Sequence, residues 1–250
     1  MDKKYMDKTL EYYSKWLGEW GILSQNFNGI KFVYCKERND AQYGYGQPFH
    51  LFVFVMADKT IVSYGDKAKA QIEMLRDSSD AFNTVEDLKS TLKTIYGKDA
   101  GHYIKYVFNG KKTDNCRAKV LGKNDYEEYE RFFKKCNPEC SNLDWLQAYF
   151  EEMVCGNLCV GTYEDGVLVS CTDAPGMPYM SDVVQEIGIN TLPDYRGKGY
   201  ATIACQGSIN EILKSGKIPQ WSTDVTNIAS QKLAEKLGFV KLGDVITITI

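Results

Sequence analysis

Pro193-Asp194-Tyr195-Arg196-Gly197-Lys198-Gly199-Tyr200-Ala201 places two glycines and two cations between a strand-like run and a helix-like one. Val183 to Ile189 reads as the strand upstream, and downstream Ala201, Cys205, Ile209 and Ile212 fall on one helical face. Strand, basic glycine loop, helix is the order of a phosphate site. The glycines let the backbone approach a ligand, and the free N–H groups of the first helical turn point outward with the positive end of the helix dipole behind them. Arg196 and Lys198 add cationic side chains. A Walker loop would need Gly-Lys-Ser/Thr after four intervening residues, and the third glycine of a dinucleotide fingerprint would fall on Thr202. Neither a nucleoside triphosphatase nor a nicotinamide or flavin enzyme is expected.

Strands and helices alternate on both sides of this loop. Before it come a strand at Arg117 to Leu121 and a helix opened by Asn124 with Tyr126, Tyr129 and Phe133 on one face. A helix from Ser141 follows, carrying Leu143, Leu146, Phe150 and Met153. Leu158, Val160 and Thr162 alternate into Glu164-Asp165-Gly166 and back through Val167 to Cys171, which predicts a hairpin. After the loop, the pattern predicts a strand at Pro219 to Thr223, a helix begun by Asn227 with Ala229, Leu233 and Leu237 on one face, and a strand at Asp244 to Ile250 behind Gly238-Phe239.

With both flanks read, the sequence resembles the GNAT acyl-CoA N-acyltransferases. Arg196 to Ala201 fits that family's acetyl-CoA motif, Arg/Gln-x-x-Gly-x-Gly/Ala, and Asn227-Ile228-Ala229-Ser230 through Ala234-Glu235-Lys236-Leu237-Gly238-Phe239 looks like its second signature. Within the family, Pro219-Gln220-Trp221 followed by these residues is most similar to the subgroup that includes zwittermicin-resistance acetyltransferases. The resemblance covers about Asn115 to Ile250 and implies an α/β (α+β) fold with a GNAT-like mixed, splayed central sheet flanked by helices. It also implies that main-chain groups of Ile187, Gly188 and Ile189 pair with the pantetheine amides of acetyl-CoA. Arg196, Gly197, Lys198, Gly199, Tyr200 and Ala201 would hold the pyrophosphate, and Asn227 and Ser230 would meet the cofactor arm. Glu186 sits where the family often places its general base; the other reading is a strand charge facing solvent or a structural hydrogen-bond acceptor. The family's acid position is often tyrosine and here is Ala234, which leaves Ser230, Cys205, a tyrosine such as Tyr195, or water.

The implied activity is transfer of an acetyl group from acetyl-CoA to a primary amine of a small molecule. Direct attack in a ternary complex is expected, because no Cys or Ser is paired with a His to form an acyl-enzyme. The alternatives are a non-catalytic acyl-CoA-binding or regulatory protein, and an enzyme acetylating proteins. Glu151, Glu152, Asp182 and Asp224 are carboxylates that could attract ammonium groups.

The first half reads separately. Met6, Leu10, Tyr13 and Leu17 form one helical stripe stopped by Gly18. Ile30, Phe32 and Tyr34 alternate as a strand, and Phe49 to Met56 pairs through Ala57-Asp58-Lys59 with Thr60 to Tyr64. Ala68, Ile72 and Leu75 mark a helix, Thr84-x-x-Asp87 caps another with Val85, Leu88, Leu92 and Ile95, and Tyr103 to Phe108 is a strand. Asn109 to Asn115 is polar or glycine throughout, so the domain boundary is placed near 112. Residues 1–112 are then an N-terminal α/β domain, read as a reduced copy of a similar fold that supplies a wall of the acceptor site or a homodimer surface, and 113–250 the GNAT-like domain.

Composition excludes other classes. A net charge of −3 and a pI near 5.6 argue against a nucleic-acid surface. The run Phe49 to Ala57 contains His50 and is far shorter than the roughly 20 apolar residues of a membrane span. Asp2, Lys3, Lys4 and Asp7 precede any apolar stretch, so no signal peptide is expected and the location is read as cytoplasmic. The eight cysteines are read as reduced thiols. With only His50 and His102, and with Cys136, Cys140, Cys155 and Cys159 in C-x3-C spacing instead of C-x2-C, no metal is expected. His50 reads as a core residue, Trp221 lines the acceptor pocket or packs its strand into the core, and the Tyr43 to Gly46 loop is an exposed turn or a lid.

Overall fold

The structure, a computed structural model, describes residues 2–42, 45–78, 82, 84–110 and 117–250. The stretch expected as one strand at 183–189 is two. Strand β8 (Val184–Glu186) runs parallel to β10 (Ile218–Asp224), with Gln220 opposite Glu186. Strand β9 (Gly188–Thr191) runs antiparallel to β7 (Val167–Asp173), with Asp173 opposite Gly188. Ile187 is the pivot between two sheets. Gly188 fits there without a clash, whereas a Cβ at that position would stand 1.9 Å from the Asp173 carboxylate oxygen and force that side chain to move.

The smaller sheet has the order β5-β6-β7-β9, with β5 at Lys119–Val120 and β6 at Val160–Glu164. Asp165 and Gly166 both take positive φ in the β6/β7 turn, as a two-residue hairpin demands. The larger sheet has the order β1-β3-β2-β11-β4-β10-β8, where β1 is Gly29–Tyr34, β2 Leu51–Val55, β3 Lys59–Tyr64, β4 Gly101–Phe108 and β11 Phe239–Ile248. Strand β4, from the first half of the chain, lies between β10 and β11, antiparallel to both, and β11 in turn pairs with β2. The expected boundary near 112 falls within 111–116, outside the described residues. Strands from its two sides interleave in one sheet, because β4 completes the hydrogen bonding of two strands that come after it.

Alternation along the strands sorts the helices. Phe52, Phe54, Ile61, Val184, Ile218 and Val245 pack with helix α1 (Lys3–Trp16). Val53, Val62, Ile246 and Ile248 point the other way and pack with α2 (Lys69–Asp77) and α3 (Val85–Tyr96). A third cluster joins α4 (Tyr126–Cys136), α5 (Leu146–Cys155), α6 (Tyr200–Lys214) and α7 (Ile228–Lys236) to the smaller sheet and to Trp221 and Phe239.

Local signals held where side chains bond their own backbone. Thr84 and Asp87 form a reciprocal capping box on α3, and Asn227 caps α7 by accepting the Ser230 N–H. Others moved. Asn124 sits in a 3-10 turn ahead of α4, with the adjacent Asp125 carboxylate accepting the Gly122 N–H at 2.7 Å. Helix α5 begins at Leu146 instead of Ser141, since Asn142 is spent on a turn to Asp144. The buried residues of α1 are Thr9, Tyr12, Tyr13, Ser14 and Trp16, with Met6 and Leu10 only half-buried, because this helix meets a polar patch of the sheet. Strand β11 starts at Phe239, five residues early, and absorbs a bulge between Lys241 and Gly243.

Because β4 fills the space between β10 and β11, a fragment comprising 113–250 should be insoluble or lack a cooperative unfolding transition, and co-expression with 1–112 should restore both. Circular dichroism with urea titration of the two preparations checks this.

Candidate functional site

Helix α6 opens without any side-chain cap. Gly197 and Gly199 adopt φ of 76° and 92°, and a Cβ on either would meet nothing within 4 Å. These glycines are therefore needed for backbone conformation, with open space before them. The first hydrogen bond of the turn runs from the Ile203 N–H to the Gly199 carbonyl. The N–H groups of Gly197 to Thr202 have no protein acceptor among the described residues, so the loop offers a run of outward donors at a positive helix end. Lys198 Nζ lies 5.1 Å from the Tyr195 ring, and Arg196 Nε donates to the Thr191 carbonyl at 3.2 Å, which ties the loop to the end of β9.

The split strand opens toward this loop. The Ile187 N–H donates to the Gln220 carbonyl at 3.2 Å, the last rung before β9 and β10 part. The Leu192 N–H bonds the Val169 carbonyl, so ladder alternation turns the peptide groups of Gly188 and Asn190 toward β7 and those of Ile189 and Thr191 toward the opening. Of the three predicted main-chain contacts, Ile189 faces the gap, Ile187 has spent its N–H, and Gly188 pairs with β7. Asn227 and Ser230 lie at the start of α7, with Ser230 Oγ accepting the Trp221 Nε1–H at 3.1 Å. Trp221 is 1% exposed and in contact with Phe239, which favours core packing over lining of the acceptor pocket.

Glu186 shares a face of the sheet with Val184, Gln220, Ser222 and Lys105, the face covered by α1. It is half-buried, and burial pushes its carboxyl up from the usual range while Lys105 pulls it back. Gln220 Nε2 donates to Thr9 Oγ1 at 3.0 Å, which fixes α1 over this patch. Burial raises the phenols of Tyr12, Tyr13 and Tyr45, and the nearby Glu186 charge raises them further, so they are neutral over the working pH range. Tyr45 is held against Trp16 and Phe49; Tyr43 and Gly44 of the same loop lie outside the described residues. On β7, Asp173 accepts from Tyr149 and is likewise raised by burial.

The family model described as GNAT acetyltransferase matches residues 51–245, well over half of the chain. The chain belongs to the GNAT acetyltransferase family. A protein of Bacillus subtilis strain 168 called uncharacterised N-acetyltransferase YjdG is 28% identical over 132 residues, 48% of this chain and 79% of that protein. A GNAT-family acetyltransferase of Colwellia psychrerythraea has a TM-score of 0.51 at 17% identity, covering 60% of this chain and 56% of that one. A GCN5-related N-acetyltransferase of Sphaerobacter thermophilus also gives 0.51, at 10% identity, over 78% and 57% of the two chains. The chain thus spans less than two thirds of either solved structure, and these likenesses concern the fold. The match beginning at residue 51 takes the family into the first half of the chain, beyond the stretch from Asn115 in which its motifs were read.

Sequence reasoning missed the neighbours of Glu186. Lys105 carried a signal, being the one charge in Tyr103 to Phe108, whereas Ser222 and Tyr12 carried none, because their convergence depends on strand order. Two residues singled out in the sequence sit in the core. His50 is buried and its Nδ1 accepts the Ile250 N–H at 2.8 Å, and Cys205 is buried with its thiol pushed up by burial. Among the described residues no group of three or more His, Cys, Asp or Glu could hold a metal, and no helix is long and apolar enough to cross a membrane. A cleft of about 640 Å3 between the α3 N-terminus and the β11 bulge is lined by none of the residues discussed above for the cofactor or the base.

Gly188→Ala should lower stability by about 1–3 kcal/mol through overpacking against Asp173. The midpoint of a urea unfolding curve reads this.

Proposed function

We propose that the chain transfers the acetyl group of acetyl-CoA to a primary amine of a small molecule by direct attack in a ternary complex. The observation that carries this reading is the parting of β9 from β10 at Ile187, with Glu186 at its apex and the unpaired amides of Gly197 to Thr202 at its mouth. An extended pantetheine laid in that gap meets the free edge at Ile189, and its pyrophosphate meets the α6 N-terminus, Arg196 and Lys198. Asn227 and Ser230 reach the arm from α7. The amine attacks the thioester carbonyl, its proton passes to the Glu186 carboxylate, and the C–S bond breaks to release the CoA thiolate. Ala234 is buried and cannot supply a proton to that thiolate. Ser230, one turn before Ala234 on α7 and accepting the Trp221 Nε1–H, is the hydroxyl we assign to that step. The similarity to zwittermicin-resistance acetyltransferases favours an aminopolyol or polyamine acceptor, with the first half of the chain roofing its site through α1. Ala234 also favours a second reading, a protein that binds acyl-CoA without turnover.

Calorimetry should give micromolar binding of acetyl-CoA by the wild type and none by Gly199→Asp, which sets bulk and negative charge against the pyrophosphate. Failure of the folded wild type to bind would end the proposal; binding without turnover on an amine panel would favour the second reading. With an active amine, kcat/KM should fall as pH drops through the Glu186 titration. That limb should lie above the ordinary carboxylate range, because burial raises this group and only its ionised form accepts the proton. Glu186→Gln should remove the limb and cost roughly 10²–10⁴-fold in rate.

A further inference from the structure

Lys105 is 2% exposed, in the middle of a strand whose other residues from Tyr103 to Phe108 are aromatic or aliphatic. No carboxylate lies within 4 Å of its ammonium among the described residues, although an uncompensated buried charge is costly. Its Nζ donates to Ser222 Oγ at 2.7 Å and lies 5.8 Å from the Tyr13 ring and 5.6 Å from the Trp16 ring. The register explains where that ammonium sits. Lys105 pairs with Ser222, and Gln220, two residues back along β10, pairs with Glu186. Side chains two apart on a strand share a face. Lys105 therefore reaches over the middle strand of three, toward the carboxylate on the third.

We propose that Lys105 is a positioning residue that holds Glu186 as a carboxylate beneath α1, so that β4, from the first half of the chain, supplies the charge that keeps the base ready. The inference rests on Glu186 being the base. The groups facing Glu186 are Lys105 from β4, Tyr12 and Tyr13 from α1, and Tyr45 from the loop before β2. Lys105 is itself faced by Glu186 and Tyr103. Burial keeps the four tyrosines neutral, so Lys105 is the only cation in this set and the carboxylate its only anion. Burial lowers Lys105 and raises Glu186, and each partly offsets the other's burial, the lysine drawing Glu186 back down and the glutamate drawing Lys105 back up. Ser222 and the two ring faces keep the ammonium from folding away toward solvent.

The test is a carbon-13 NMR titration of the full-length protein carrying carboxyl-labelled glutamate, with Glu186→Gln used to assign the Glu186 signal. Lys105→Met should raise the Glu186 midpoint by about one pH unit or more, and Lys105→Arg should restore it to near the wild-type value. Lys105→Gln is a second neutral variant should the methionine protein fail to fold. Equal midpoints in the wild type and the folded neutral variant would overturn the proposal, whatever happened to activity. With an active amine, the acidic limb of kcat/KM should move upward by the same amount as the NMR midpoint. A midpoint that moves while Glu186→Gln keeps wild-type turnover would uphold the electrostatic hold of Lys105 and remove Glu186 as the base, so the two failures are separable.

Discussion

Everything in the site follows from one backbone contest, the division of residues 184–191 between two partners. Val184 to Glu186 bond to β10, Gly188 to Thr191 bond to β7, and Ile187 makes the last bond to Gln220 before the strands part. A single straight strand would have closed the sheet and left no edge for a ligand. The Asp173 carboxylate sits against Gly188, so the absence of a Cβ there lets β7 and β9 meet without displacing that side chain. The parted strands leave peptide groups facing an opening, and the free amides of the α6 N-terminus stand at the end of β9.

The larger sheet makes the second decision. With β4 between β10 and β11, a strand from the first half becomes a neighbour of the strand that faces Glu186. Helix α1 then covers the same face and is pinned there by the Gln220 to Thr9 hydrogen bond. A carboxylate that would be an ordinary strand charge on an open sheet is instead half-buried beneath α1 and countered by one buried ammonium. Burial and counter-charge pull its protonation in opposite directions, with burial the larger effect.

Much was legible in the chain. The Arg196 to Ala201 loop was read from local chemistry, because glycines with positive φ and uncapped helix amides need no distant residue to be recognised. The Thr84/Asp87 capping box, the Asp165-Gly166 turn and the Asn227 cap were readable for the same reason: each is a side chain or turn bonding to backbone within a few residues. Helix starts that depend on competing turns, such as that of α5, were displaced.

By itself the sequence determined much of the alternation of strands and helices and the glycine loop that opens α6, all of them short-range properties of spacing and backbone chemistry. Only the tertiary structure decided that residues 184–191 serve two sheets, that β4 joins strands more than a hundred residues later, and that Lys105, Ser222, Tyr12 and Tyr45 gather around Glu186. Strand order and burial are set by which edges find partners across the whole chain, and no local pattern in Tyr103 to Phe108 or Val183 to Ile189 encodes which partner that will be.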